Sequence, residues 1–260
     1  MASETVSKIN NLLRVWPGGT VAVVPWLAKH GVYQQLAYEY ERSAWIKHIG
    51  RGAYVRWNDK VEWPGAVYTL QAQLGLPVHV GAKTALELKG LGHFIPTGKG
   101  APLFLFGPPN ERLPAWFLRY DWDRKVSHKV PRLFSESSNR GLMSHSLGAF
   151  EIQISAPERA MFEVLHLVPF EQSVEEAQLL MEGLGTLRPK IVEELLHHCR
   201  SVKAKRLFLA LAERCNHSWL KRLNLTKVKL GKGNRVVVKG GILDPKYQIT
   251  LPKPERKEGK

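Results

Sequence analysis

Three short stretches of this 260-residue sequence place a basic residue between two glycines: Gly50-Arg51-Gly52, Gly98-Lys99-Gly100 and Gly231-Lys232-Gly233. Glycine-rich turns expose backbone N–H groups, and a neighbouring cation allows such a turn to bind phosphate. A nucleotide-binding loop should follow a buried strand and open a helix. The first stretch is instead followed by a second strand-like run, "AYVRW", and no GxxxxGK[ST] or GxGxxG motif stands at a strand-to-helix junction. The first turn is therefore predicted to be the tip of a β-hairpin.

Other residues are of the types used in catalysis or metal binding, but their spacings do not match those of known catalytic or metal sites. Asp121 and Asp123 in "YDWDRK" are the best carboxylate pair for a metal-dependent nuclease. The serines and His145 of a Ser-rich stretch lack a GxSxG motif. Five ligand-type residues lack C-x-x-C or H-x3-H spacing: His197, His198, Cys199, Cys215 and His217. We therefore expect no catalytic residue, no metal site and no cofactor.

The net charge of the chain indicates a polyanionic partner. There are 38 Lys and Arg residues against 23 Asp and Glu, which gives +15. Residues 196–260 carry 17 basic and 4 acidic side chains, whereas residues 157–195 carry 3 and 8. A balance this basic, concentrated at one end with a second excess in residues 1–60, favours nucleic-acid binding. The alternative is a surface charge that serves only solubility.

The elements before the first glycine turn predict a winged helix-turn-helix. An N-terminal helix is followed by "TVAVV", a short strand, and then by "PWLAKH", a helix with proline in its first turn. Gly31 ends that helix, and a third helix covers residues 33–43. At 100° per residue, Tyr33, Leu36 and Tyr40 should face inward. The hairpin with Arg51 at its tip follows as the wing.

The outer face of the third helix is predicted to read base edges, and the wing to contact phosphate or the minor groove. An ordinary solvated helix face and an ordinary exposed turn are the alternatives. A second basic surface is expected where a basic helix precedes the third glycine turn, with its cations on the outside, although this could also be a sheet edge protected by lysines. The predicted DNA-binding residues are Gln34, Gln35, Tyr38, Arg42, Lys47, Arg51, Arg56, Lys203, Lys205, Arg206, Lys232 and Arg235. Lys99 is expected to serve only its turn.

The predicted fold class is mixed α and β (α/β, more specifically α+β), with an N-terminal winged helix-turn-helix followed by a mixed α+β domain. "AWFLRYDW" and "VPRLF" are predicted to be strands, and "FSESSNRGLMSHSLGAF" a surface loop. Ser155 and Ser173 are predicted to cap the first two helices of a helical region. "LTKVKL" and "NRVVVKGG" should form a basic hairpin around Gly231-Lys232-Gly233. The predicted organisation is a winged helix-turn-helix (1–58), an α+β domain (59–252, sheet-rich in 59–156, helical in 157–223, hairpin in 224–252) and a tail (253–260).

The sequence resembles the AbiEi family of antitoxins and transcriptional regulators of type IV toxin–antitoxin, or abortive-infection, systems. The resemblance is carried first by "GGTVAVVPWLAKHGVYQQLAYEYERSAWIKHIGRGAYVRW" and "AVYTLQAQLGLPVHVGAKTALELKGLGHFIP", with "LPAWF". It resumes in "SVKAKRLFLALAERCNHSWL" and "LGKGNRVVVKGGILDPKYQITLP". It implies a phage-defence protein that represses its own operon by binding inverted repeats in the promoter. It also implies that the protein counteracts a nucleotidyltransferase-like toxin, without a need for direct binding.

The function predicted is that of a non-enzymatic, sequence-specific DNA-binding antitoxin, monomeric in solution or dimeric on DNA. The alternatives are a winged-helix protein with a C-terminal nuclease activity and a non-catalytic adaptor that docks through the acidic residues 157–195. Two cysteines imply no disulfide framework, the N-terminus has no signal-peptide pattern, and no apolar run is long enough to span a bilayer. A cytoplasmic protein without a membrane partner is therefore expected.

Overall fold

The computed structural model describes residues 2–92, 99–135 and 139–253, and the side chains from residue 8 onward. It is a mixed α+β protein, as the sequence predicted. The described residues form two compact units. The first takes its residues from 1–79, 98–130 and 144–154, and the second from 80–97, 131–143 and 155–260.

The first unit begins with three helices and a three-stranded sheet. The elements are α1 (Ala2–Val15), β1 (Ala22–Val23), α2 (Val24–Lys29), α3 (Gln34–Arg42), β2 (Ile46–Gly50) and β3 (Ala53–Arg56). The strands are antiparallel and lie in the order β1-β3-β2. This succession, in which two strands joined by a tight turn follow the third helix, matches the order predicted for a winged helix-turn-helix.

Buried apolar residues from all three helices and the hairpin form one core under this sheet. Ile9, Leu12 and Trp16 of α1 pack with Tyr40 of α3 and Ile46 of β2. The Trp16 indole donates to Thr20 Oγ1 at 3.1 Å, so its only polar atom is satisfied in the core. Because every element contributes to one core, α3 and the hairpin are held in a fixed relation.

The first unit continues with α4 (Trp63–Tyr68), a π-helical turn (Thr69–Gln73) and the greater part of a five-stranded sheet. The strands are β4 (His79–Val80), β5 (Pro102–Phe106), β6 (Lys125–Lys129), β7 (Leu142–Ser146) and β8 (Glu151–Ser155), in the order β6-β5-β4-β8-β7. β5 and β6 are parallel. Between them lies α6 (Ala115–Arg119), preceded in the chain by α5 (Ala82–Leu88) of the second unit.

Three local predictions in this region are wrong. "AWFLRYDW" forms α6 and not a strand, because the neighbouring Trp116 and Phe117 are both buried, whereas successive residues of a strand point to opposite faces. "VPRLF" contributes only a single bridge, between Phe134 and Cys199. The stretch predicted as a loop contains strand β7, and its residues 136–138 lie outside the described structure.

The second unit is mainly helical. It contains α7 (Pro157–Leu167), α8 (Val174–Glu182), α9 (Pro189–His198), α10 (Val202–Arg214) and a 3₁₀ turn (Ser218–Arg222). Phe162 of α7 stacks on Phe208 of α10 with ring centres 4.4 Å apart. Ser173 caps α8 as predicted, but the cap of α7 is Ala156. The predicted cap Ser155 instead donates to the buried Glu163, which also accepts from Arg159 and from the backbone N–H of Ala82.

The predicted basic hairpin around Gly231-Lys232-Gly233 is absent from the described structure. Residues 225–241 form no strand, and Arg235 makes one parallel bridge to Ile249. The hairpin lies further along the chain, in β9 (Ile242–Asp244) and β10 (Ile249–Leu251). Several carbonyl groups of residues 229–233 accept hydrogen bonds from side chains of α10, which replace the partner strand that the sequence pattern suggested. Among the described helices, none is both long and apolar enough to cross a membrane.

Candidate nucleic-acid interface

Helix α3 presents a polar face to solvent. Gln34, Gln35, Tyr38 and Arg42 are all exposed, whereas Ala37 and Tyr40 are buried. Leu36 is partly buried against the core, as predicted. Tyr33, expected to face inward, is 68% exposed because it precedes the first helical turn and is the N-cap residue of α3. Tyr33 therefore extends the exposed polar face at the helix N-terminus.

The wing turn is held in place on two sides. Gly52 has φ +74°, a conformation that favours glycine, and its carbonyl accepts from the Val24 N–H at 3.0 Å. Gly50 is needed for a different reason, since a Cβ atom there would lie 2.8 Å from Cβ of Trp116 in α6. Arg51, between them, is exposed. The turn thus presents its cation to solvent from a backbone that is fixed at both glycines.

A cavity of about 630 Å³ separates α3 from the wing. It is lined by Tyr33, Gln34, Gln35, Tyr38, Glu41 and Tyr54. Glu41 joins its two walls, because its Oε1 accepts from the backbone N–H of His48 in β2 at 3.1 Å. Burial, together with the Glu41 charge, raises the pKa of Tyr54 above its usual value, so its hydroxyl stays protonated at neutral pH. The predicted DNA-binding set did not include Tyr33, Glu41 or Tyr54, although helical periodicity places Glu41 on the outer face of α3 and the hairpin register places Tyr54 opposite His48.

Two further cations of the wing strands have different environments. Lys47 is exposed on β2, as its predicted role requires. Arg56 is only partly exposed, donates to the Leu13 carbonyl at 2.8 Å and lies 5.8 Å from the centre of the Trp16 ring. Its guanidinium ties β3 to helix α1. The prediction that Arg56 contacts DNA is therefore withdrawn, because its side chain is engaged within the fold.

Of the three cations predicted on the outside of α10, Lys205 and Arg206 are buried and Lys203 is half-buried. Lys203 Nζ donates to the carbonyls of His166 and Val168, and Lys205 Nζ to that of Lys229. Arg206 is 1% exposed and donates to the carbonyls of Leu230, Gly233 and Gln248. Burial lowers the pKa of all three side chains. The structure thus contradicts their predicted position, because the chain after residue 228 supplies the acceptors of Lys205 and Arg206, and the end of α7 supplies those of Lys203.

Exposed cations do follow in the same part of the chain. Residues 221–239 contain seven Lys and Arg residues and no Asp or Glu, and all seven are exposed: Lys221, Arg222, Lys227, Lys229, Lys232, Arg235 and Lys239. The predicted residues Lys232 and Arg235 belong to this set. We call residues 221–239 the basic segment. After the 3₁₀ turn ends at Arg222, its backbone is irregular, so most of these cations follow a loop and not a strand edge.

The remaining candidates have partners of other kinds. Lys99 pairs with Asp123 at 3.7 Å, and Gly98 of that turn lies outside the described structure. Asp121 and Asp123 line a cavity of about 670 Å³ together with Lys99 and Arg124. Within residues 2–92, 99–135 and 139–253, no group of three or more His, Cys, Asp or Glu side chains is placed to hold a metal ion. Burial raises the pKa of both Cys199 and Cys215 to about 11, so these thiols stay protonated at neutral pH.

Several carboxylates of the acidic region 157–195 form ion pairs or hydrogen bonds within the second unit. Glu158 accepts from the Arg188 guanidinium at 2.9 Å, and Lys83 pairs with Glu176 at 2.7 Å. Arg140 pairs with Glu194 at 2.8 Å. Burial raises the pKa of Glu158, but the hydrogen bonds from Arg188 outweigh it and leave the pKa below its usual value. Many carboxylates of this region thus stabilise the second unit itself.

Comparison with known proteins agrees with the resemblance found in the sequence. A family described as the N-terminal domain of the AbiEi antitoxin transcriptional regulator matches residues 5–97. A family described as transcriptional regulator, AbiEi antitoxin, type IV toxin–antitoxin system, matches residues 101–252. The crystal structure of the RV2827C protein from Mycobacterium tuberculosis superposes with a TM-score of 0.60 at 15% identity, over 95% of this chain and 90% of that one, which establishes a shared fold. No curated protein matches the sequence. The chain belongs to the AbiEi family of antitoxin transcriptional regulators of type IV toxin–antitoxin systems.

Proposed function

We propose that this protein is a non-enzymatic, sequence-specific DNA-binding antitoxin that represses the operon encoding it. The observation that carries the proposal is the exposed polar face of α3 beside a wing that presents Arg51. Amide and phenol side chains on a helix of this kind hydrogen-bond base edges in the major groove. The wing cation then contacts phosphate or enters the minor groove, as in other winged helices.

The proposed target is an inverted repeat in the protein's own promoter. A single α3 helix reads only a few base pairs, so two copies on two half-sites are needed for a specific site. The basic segment of the second unit adds phosphate contacts that do not depend on sequence, because its cations are exposed and follow an irregular backbone. A protein monomeric in solution would then dimerise on DNA.

Membership of an antitoxin family supports a second activity, which is the counteraction of a nucleotidyltransferase-like toxin encoded in the same operon. We propose that this counteraction does not require a stable complex between the two proteins. Co-expression of the chain with its neighbouring toxin gene should restore growth, whereas co-purification of the two proteins should fail. Recovery of a stoichiometric complex would instead support the adaptor alternative.

The regulator proposal is tested by competition binding. Purified protein should retard a duplex of its own upstream region, and a random duplex of the same length should compete at least about a thousandfold less well. Affinity should fall steeply between 50 and 200 mM salt, by roughly a thousandfold if six phosphates are contacted. Equal competition by random DNA would refute the regulator. Cleavage of the duplex on addition of Mg²⁺, and its loss in Asp121→Asn, would favour the nuclease alternative.

A further inference from the structure

We propose that the cavity between α3 and the wing is a base-reading site in which Glu41 accepts a hydrogen bond from the exocyclic amino group of a cytosine. The inference rests on the proposed function, since it assumes that α3 enters the major groove. It adds a residue that the predicted DNA-binding set did not contain. It also adds the chemical class of the base that this residue selects.

Glu41 occupies the same helical stripe as the predicted base-reading residues. It lies seven residues after Gln34 and three after Tyr38, spacings that bring side chains to one face of a helix. All three line the cavity of about 630 Å³, and Tyr54 of β3 forms its opposite wall. A groove floor that passes along Gln34 and Tyr38 therefore continues past Glu41, which meets a neighbouring base pair.

The two carboxylate oxygens of Glu41 have different environments. Oε1 accepts from the His48 backbone N–H, which fixes the side chain against the wing. Within the described part of the chain, Glu41 makes no other hydrogen bond. A carboxylate is an acceptor only, and phosphate groups repel it. In a DNA complex, Oε2 therefore needs a donor from a base.

Cytosine is the base that best supplies this donor. Its N4 amino group projects into the major groove beside a C–H group, so a carboxylate meets no competing lone pair. Adenine also offers an amino group, but its N7 acceptor lies next to it and repels a second acceptor. Thymine and guanine present acceptor oxygens at the corresponding position. A negative charge is therefore favourable opposite cytosine and unfavourable opposite the other three bases.

The surroundings of Glu41 strengthen this discrimination. Tyr33, Tyr38 and Tyr54 line the cavity, so a base edge that enters it lies among three aromatic rings, and the rings of Tyr54 and His48 are 5.3 Å apart. A carboxylate that loses its water without gaining a donor is costly. Wrong bases are rejected by this cost, in addition to the preference for the right one.

The test compares Glu41→Gln with Glu39→Gln. Glu39 is exposed on the same helix but does not line the cavity, so its substitution removes the same charge at a neighbouring position. Glutamine at position 41 keeps an oxygen for the His48 N–H and places a donor where Oε2 was. The ratio of promoter affinity to random-duplex affinity should fall about five- to tenfold in Glu41→Gln. It should change less than twofold in Glu39→Gln.

The base is identified by substituting each cytosine of the half-site in turn with 2-pyrimidinone, which lacks only the amino group. One position should weaken binding of the wild-type protein about five- to tenfold and have no effect on Glu41→Gln. The weakening is measured on the unaltered protein, and a urea denaturation curve for Glu41→Gln verifies that the variant used for the coupling is folded. If no cytosine shows this coupling, the assignment of Glu41 is wrong although the promoter is still bound. If the promoter is not preferred over random DNA, the proposed function itself fails.

Discussion

The wing turn and helix α10 both carry cations that the sequence assigned to DNA, and the structure gives them opposite environments. Arg51 is exposed between Gly50 and Gly52. Gly50 pairs with Ala53 in the hairpin, and the Gly52 carbonyl accepts a hydrogen bond from the Val24 N–H of α2. Arg206 is buried and serves three backbone carbonyls. The comparison teaches that a cluster of basic residues indicates a nucleic-acid surface only where the backbone around it has no unsatisfied acceptors of its own.

The largest effect is expected on protein stability, when the buried cation Arg206 is removed. Arg206→Ala removes a fully buried side chain and its hydrogen bonds to three backbone carbonyls, and should lower the free energy of unfolding by about 3 kcal/mol or more. Urea denaturation measures this loss. Arg222→Ala, which removes an exposed cation of the second unit, should stay within about 0.5 kcal/mol of wild type. Equal stability of the two variants would show that burial of Arg206 contributes little.

A second prediction concerns the exposed face of α3. Gln35→Ala should reduce discrimination between promoter and random DNA by about 1–3 kcal/mol while affecting overall stability little, because its amide is exposed. Gln34→Ala should behave in the same way. Competition binding with half-sites altered at one base pair gives the loss for each position. A uniform loss on all duplexes would assign these glutamines to phosphate instead.

The third prediction compares two glycine-flanked cations. Arg51→Ala should weaken binding to all duplexes by about 1 kcal/mol and lower the magnitude of the salt dependence by about one phosphate contact. Lys99→Ala is the matched control, since Lys99 already pairs with Asp123. Its binding should be unchanged. Titrations at several salt concentrations separate these outcomes, and an equal effect of both substitutions would remove the special role of the wing.

The smallest effect is expected in the basic segment. Lys232→Ala should weaken binding by less than about 1 kcal/mol, equally on promoter and random DNA, because a flexible exposed lysine contacts phosphate alone. Lys232→Ala combined with Arg235→Ala should roughly double the loss. The same titrations measure it. A change in sequence preference, or no change at all in the double variant, would show that this segment does not lie along DNA.

The sequence predicted those parts of the fold that depend on neighbours in the chain. Pro25 in the first turn of α2, Ser173 at the cap of α8 and the glycines of the wing all act within a few residues, and all were placed correctly. The basic hairpin and the outward cations of α10 depend instead on contacts 24 to 42 residues away. Composition carries no signal for such distant acceptors, so these predictions were wrong.

The sequence identified the central residues of the candidate site but not those at its edges. Helical periodicity identified Gln34, Gln35 and Tyr38, but it placed Tyr33 inside because a cap residue no longer follows the 100° rotation. Helical periodicity places Glu41 on the same outer face, but the predicted DNA-binding set took from that face only the amide, phenol and guanidinium side chains. The contact of Glu41 with His48 depends on how the wing folds back on α3, which periodicity does not describe.

The three carbonyls that accept from Arg206 are all synthesised after it, so this packing depends on the order of synthesis. They belong to residues 24, 27 and 42 positions after the arginine, so its guanidinium has no complete set of acceptors until Gln248 has left the ribosome. The second unit can then reach its final packing only after Gln248 has been released. A chain interrupted before that point would lack at least one acceptor of Arg206 and part of the segment that covers α10, and should be more susceptible to proteases. Messenger damage upstream of codon 248 would therefore lower the amount of stable regulator in the cell.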